Sequence, residues 1–199
     1  MVSAETRLQE QIAFIVEIDR LKSIYRQSFL MDVSRKEDDA EHSWHIATMA
    51  VLLGEYANDR DLDLFRAVKM LLIHDIVEID AGDVLAYDKE FDMGLDARER
   101  IAADRLFSIL PPDQSSELRG LWEEFEVRKT PEAKFAMAMD RLQPVLQNYY
   151  TQGKSWKEHG ITAGQVLRVN ARIKEGSEEL WEFVQEIIRD SVEKGYLLP

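Results

Sequence analysis

The recurrence of apolar residues at three- and four-residue steps limits this chain more than any other property. Leu8, Ile12, Ile15, Ile18 and Leu21 keep that spacing, which sets them on one face of a helix of about 3.6 residues per turn. His42, His45, Ile46, Met49, Leu53 and Tyr56 repeat it over a helix predicted from about 40 to 58. Leu64, Ala67, Leu71, His74 and Glu78 repeat it again, in a helix expected to be capped by Asp61 and to run past His74. Further helices are expected over 95–110, from Pro111-Pro112 to about 128, from Pro131 into Tyr149-Tyr150, and over about 176–194. Proline at a first helical turn suits Pro112 and Pro131. Strand-like runs are short, so the fold class is all-α.

Loops are expected over the charged connector 32–39, whose acids favour a helix N-terminus, from Gly82 to Gly94, and over 151–162, the last read as bordering a site or an interface. With no internal repeat, Gly/Ser linker or low-complexity tract, residues 1–199 read as one domain. Its motif-bearing part lies at about 21–150, and a C-terminal helical segment at about 163–195 packs on it.

A chain of 199 residues can bury a substantial core without disulfides. It has no cysteine, so thiolate sites are excluded and any metal is held by imidazole and carboxylate. Its formal charge of −13 suits it poorly to a nucleic-acid polymer, whose phosphates call for clustered Lys and Arg. No run approaches the roughly 20 apolar residues of a membrane helix, and no basic leader precedes an apolar stretch. A cytoplasmic protein is expected.

Only four histidines occur, and three fall in two tight groups, Glu41-His42-Ser43-Trp44-His45 and His74-Asp75-Ile76-Val77-Glu78. A lone histidine on an apolar face is more often a hydrogen-bonded core residue than a ligand. Two groups ending apolar stripes, one with an adjacent carboxylate, favour a metal. His74 and Asp75 point about a quarter turn apart and reach one ion lying between them. Glu78, one turn on, is placed to touch a metal-bound water. Asp140 closes the run Ala133-Lys134-Phe135-Ala136-Met137-Ala138-Met139. A carboxylate there is costly to bury unless a metal or a base such as Arg141 pairs with it. Pro144 removes the amide hydrogen that would bond the Asp140 carbonyl, so the helix is expected to kink or stop there.

The ordered set His42, His74-Asp75 and Asp140 resembles the signature of HD-domain phosphohydrolases. The strings Ala40-Glu41-His42-Ser43, His74-Asp75-Ile76-Val77-Glu78 and Gly82-Asp83 are similar to the subgroup of bacterial 5′-deoxynucleotidases and related eukaryotic HD-domain proteins. The resemblance implies an HD-type helical bundle in which His42, His74, Asp75 and Asp140 bind one divalent ion, with Glu78 and Asp83 acting beside it. It also implies a homodimer and a small phosphate-ester substrate, a nucleotide. Arg26 matches an arginine near the substrate in those enzymes, and Lys89 falls where they carry a lysine. Two features depart from the pattern: Gln27 stands where they have tryptophan, and Val84-Leu85-Ala86-Tyr87 replaces a proline-rich loop. His45 lies outside the signature and reads either as orienting a ligand or as a core residue.

Mixed N/O ligation is compatible with Mn²⁺, Fe²⁺, Co²⁺, Ni²⁺, Zn²⁺ or Mg²⁺. No histidine lies between Asp75 and Asp140, where binuclear relatives supply further ligands, so one ion is expected. The expected reaction is metal-assisted hydrolysis of a (deoxy)nucleoside 5′-monophosphate. Its rivals are a phosphodiesterase of the same superfamily, a non-catalytic nucleotide-binding protein and a metal-free helical bundle.

Overall fold

Local signals start and stop the helices of the computed structural model, which describes residues 4–84, 87 and 95–199. Helix α1 (Ala4–Ile18) ends in a 3₁₀ turn and is followed by a hairpin of β1 (Tyr25–Phe29) and β2 (Lys36–Asp38). Next come α2 (Asp39–Leu53), α3 (Leu64–Ile73) and α4 (Glu78–Ala81). After them lie α5 (Leu95–Phe107), α6 (Pro112–Val127), α7 (Pro131–Tyr150), α8 (Lys154–Glu158), α9 (Ala163–Asn170), α10 (Ile173–Gly176) and α11 (Glu178–Glu193).

The connector expected over 32–39 is in part the hairpin, with Tyr25 opposite Asp38 and Phe29 opposite Lys36. At its tip Asp32 accepts from the Ser34 amide at 2.9 Å, and Val33 takes a positive φ of 65°. Asp38 then caps α2. Its carboxylate accepts from the Glu41 amide at 2.9 Å, while Glu41 accepts from the Asp38 amide at 3.2 Å. This reciprocal box satisfies two amides that a helix start leaves over.

Further expectations change. Asp63, not Asp61, caps α3, accepting from the Arg66 amide at 3.0 Å. The expected single helix through Glu78 breaks at Ile73 (φ −120°, ψ −11°) into a 3₁₀ turn, His74–Val77, and then α4. And α7 continues past Pro144 to Tyr150. The lost hydrogen bond costs about 3 kcal/mol in an isolated helix. Here α7 packs against α2, α3, α6, α10 and α11, and its buried Phe135, Met139, Leu142 and Val145 hold it together. The stretch 151–162 contains α8, whose Trp156 is buried.

The core is continuous around α7, with Ile46, Met70, Leu71, Leu106 and Phe107 closed off from solvent. The C-terminal segment joins it through α10. A methyl on Gly176 would collide with the Lys134 carbonyl of α7, so glycine permits that approach. Helix α1 is held by Phe14, which stacks on Phe107, while Leu8, Ile12, Ile15 and Val16 are exposed.

Candidate metal centre

Three elements meet at the middle of α7. His42 comes from the first turns of α2, His74 and Asp75 from the break after α3, and Asp140 from the middle of α7. The 3₁₀ turn tightens the backbone where His74 and Asp75 follow one another, and a straight α-helix would separate them differently. His42, His74 and Asp140 each offer one donor atom, all within 4.8 Å of one another. Asp75 stands alongside. Its Oδ1 is 3.0 Å from His74 Nε2, and its Oδ2 is 3.8 Å from His42 Nε2.

The hydrogen bonds around the rings test whether a cation fits. His74 Nδ1 lies 2.9 Å from the Leu71 carbonyl, which can only accept, so Nδ1 carries the proton. Its Nε2 is buried without a hydrogen-bond partner among the described residues. His42 Nδ1 lies 3.1 Å from Gln143 Oε1, and Gln143 Nε2 donates onward to Glu37 at 2.7 Å. That chain orients the amide oxygen toward His42, so Nδ1 donates and Nε2 faces Asp140 Oδ1 at 3.1 Å. Two acceptors at that distance need a cation between or beside them, a proton or a metal. A proton on His74 Nε2 is drawn by Asp75 and Asp140 but makes no well-aligned hydrogen bond among the described residues, whereas a metal ion would take all three donors at once.

The electrostatics favour positive charge. Burial works against an imidazolium at His74, but Asp75 and Asp140 overcome it and push its pKa up to about 10. Burial likewise opposes charge on Asp140, yet His42 and His74 hold its carboxyl well below the usual range. Asp75 is held low against burial by His74 and Arg26.

A second acidic group adjoins the first. Asp39, Glu78 and Asp83 also bring one oxygen each within 4.8 Å of one another. Burial, reinforced by Asp75 and Asp83 and opposed by Arg26, pushes Asp39 up to about 7. Arg26 joins the two groups, donating to Asp75 at 2.8 Å and to Asp39 at 3.3 Å. It is therefore a mostly buried cation of the site and not a surface residue. Gln27 lines the same cavity and accepts from Lys36 Nζ at 2.7 Å. His45 accepts from Gln143 Nε2 at 3.3 Å, which puts it in the chain that orients His42. Arg141, the alternative partner for Asp140, approaches it at 3.8 Å. Lys89 and the residues 85–86 of the departing loop lie outside the described residues.

Sequence reasoning missed Glu37, Asp39 and Gln143. The acidic run from Glu37 to Glu41 was legible as a helix start, and Asp38 and Glu41 perform that role. Glu37 and Asp39 turn inward instead, a placement that only the hairpin dictates.

A helical bundle built around buried imidazoles and carboxylates, with no thiolate, belongs among the α-helical cation-binding proteins. More narrowly, this chain is a member of the HD domain family, whose profile matches residues 18–181. It is 52% identical to a protein of known crystal structure, a predicted metal-dependent phosphohydrolase from Magnetospirillum magnetotacticum MS-1. The superposition has a TM-score of 0.92 and covers 97% of this chain and 99% of that one. Among curated relatives it is 30% identical over 137 residues to the 5′-deoxynucleotidase HDDC2 of Xenopus laevis, covering 68% of this chain and 66% of the relative. The corresponding protein of Bos taurus is 31% identical, with 68% and 65% covered. The chain thus matches just under two thirds of the length of these curated relatives.

Proposed function

We propose that this chain is a metal-dependent phosphohydrolase that removes phosphate from (deoxy)nucleoside 5′-monophosphates. The observation that carries the proposal is the trio of mutually close donor atoms of the buried His42 and His74 and the half-buried Asp140, with both imidazole Nδ1 protons already committed. The names of the HDDC2 relatives supply the substrate class, and the name of the Magnetospirillum protein supplies the reaction type.

In this reading His42, His74, Asp75 and Asp140 hold one divalent ion, Mn²⁺, Fe²⁺, Co²⁺, Ni²⁺, Zn²⁺ or Mg²⁺. When bound, the ion supplies Lewis-acid polarisation and lowers the pKa of water. The oxygen-only group of Asp39, Glu78 and Asp83 lies beside that site. Gln143 fixes the His42 ring, and Arg26 fixes Asp75. Glu78 and Asp83 hold and move the proton that passes between water and the leaving ester oxygen. Arg26 also lines the cavity, where a phosphate can accept from it. Lys89 is assigned to substrate on the family resemblance alone.

The proposal includes a homodimer and a cytoplasmic location. The exposed Leu8, Ile12, Ile15 and Val16 of α1 offer an apolar face for the former. No helix among the described residues is long and apolar enough to cross a membrane.

The test is metal analysis of untagged protein together with phosphate release from a panel of monoesters and diesters. Stoichiometric metal with turnover of 5′-monophosphates is expected. Turnover confined to diesters would replace the monoesterase by a phosphodiesterase, and absence of bound metal would overturn the site.

A further inference from the structure

The cavity above the metal centre has a second chemical character that the hydrolytic site does not use. Its volume is about 470 Å³, within the range of small-molecule sites. Its floor is the buried group of His74, Asp75 and Glu78, and Arg128, Arg141, Arg168 and Arg172 line its remaining wall. These four come from the end of α6, from α7, from α9 and from the α9–α10 turn. Their convergence is not a product of composition, because the chain carries 38 acidic residues against 25 basic ones.

The neighbouring described carboxylates consume only part of this charge. Arg168 and Arg172 are exposed, and their side chains make no hydrogen bond or ion pair with any described residue. Arg141 reaches Asp140 only at 3.8 Å, and Arg128 reaches Glu126 only at 3.6 Å. The Nε atoms of both are buried without a hydrogen-bond partner among the described residues. A buried donor left unmade is costly, and an oxyanion accepting from an arginine fork removes that cost. Glu99 and Glu126 also line the wall and offset part of its charge. Arg128 further adopts the left-handed conformation at the end of α6, φ 56° and ψ 39°. That helix-ending position ordinarily falls to Gly or Asn, and a larger side chain kept there at a cost points to a use for it.

We infer that the four-arginine wall is a subsite for a second anionic group of the substrate, a phosphate or a carboxylate remote from the scissile phosphate. The inference rests on the phosphohydrolase reading and narrows it. A scissile phosphate at the floor is met by the cation and by Arg26. One such group leaves Arg168 and Arg172 without a counter-charge among the described residues, whereas a substrate with a second anion spans both ends of the cavity.

The experiment compares matched pairs on the full-length, Mn²⁺-loaded protein. One pair is deoxyadenosine 5′-monophosphate and deoxyadenosine 3′,5′-bisphosphate. The other is uridine 5′-monophosphate and its 6-carboxyl derivative. Affinities are measured by calorimetry and turnover by phosphate release, for the wild type and for the double variant Arg168→Gln/Arg172→Gln. Both positions are exposed, so the variant is expected to fold. The doubly anionic member of at least one pair is expected to bind about tenfold or more tightly than its partner. The double variant should erase most of that difference, and the responding pair distinguishes phosphate from carboxylate. Equal affinities within both pairs, or a variant that weakens both members of a pair equally, would overturn the subsite. Retention of the second-anion preference without turnover of any nucleotide would overturn the nucleotidase reading and leave the subsite standing.

Discussion

At the scale of single residues, the site separates groups that hold a cation from groups that move a proton. His42→Ala, His74→Ala and Asp140→Ala each remove one of three mutually close donors, and each is expected to abolish stoichiometric metal and activity together. Full metal content in Asp140→Ala would show that the ion sits elsewhere. Glu78→Gln and Asp83→Asn are expected to keep the ion at His42, His74 and Asp140 while losing roughly 10²–10⁴ in kcat, the usual contribution of a general acid or base. Near-normal kcat in both would remove them from the chemistry. Gln143 touches no cation but orients His42 through its amide oxygen. Gln143→Leu should weaken metal affinity by about 10–100-fold, the usual effect of losing a ligand's hydrogen-bond partner. Added metal should restore the variant's turnover, a rescue that a misfolded protein would not show. Gln27 lines the cavity with its carbonyl held by Lys36. Without a bulky wall a pocket rejects one added hydroxyl by only about 10²-fold or less. Matched ribo- and deoxyribonucleotides should therefore differ in kcat/KM within that range, and a larger deoxy selectivity would locate the discrimination in another residue.

Among the elements, what sequence could and could not show divides along physical lines. Helices with strong periodicity or a proline start were legible: α2, α6 and α7 lie where the apolar stripes and Pro112 and Pro131 put them. The ordered histidines and aspartates were legible too, because scarce residues at the ends of apolar faces stand out. The hairpin was not, since five residues paired with three carry too little alternation to register. Its role emerges only from tertiary structure, where it delivers Arg26 and Glu37 to the site. The break at Ile73 was also hidden, because an α-helix and a 3₁₀ turn share nearly the same apolar spacing over four residues. Pro144 misled for the opposite reason: the local penalty is real, but the packing around α7 exceeds it. Helix α10 lies against the backbone of α7 at Gly176. Gly176→Ala puts a methyl against the Lys134 carbonyl, and overpacking of this kind costs about 1–3 kcal/mol. For a chain of this size about 2–4 °C of Tm is lost per kcal/mol. A thermal melt unchanged from wild type would mean that α10 shifts without cost.

For the molecule as a whole, cation binding and pH are linked through the buried charges of the site. His74 rises from 6.5 to about 10 in the metal-free protein, so its charge contributes stability fully present below about pH 6.5. That contribution is lost as pH rises through about 10. Asp39 has a raised folded pKa of about 7, so its ionisation between 3.8 and 7 also costs the metal-free fold stability. Both groups make the metal-free protein less stable as pH rises through these windows. The loaded protein behaves in the opposite sense relative to it, because a ligand histidine must first give up its proton. Below about pH 10 binding displaces that proton, and affinity gains up to about tenfold per pH unit from this one group. A ligand that binds the native state alone stabilises it in proportion to the logarithm of its concentration over Kd. The difference in Tm between Mn²⁺-loaded and chelator-treated protein should therefore widen steadily from pH 6 to pH 9. Metal addition in weak buffer should release close to one proton or more per ion at neutral pH. A Tm difference that stays constant over this range, with no proton released, would show that His74 is neutral before the ion arrives. The carboxylates around it would then serve the cation alone.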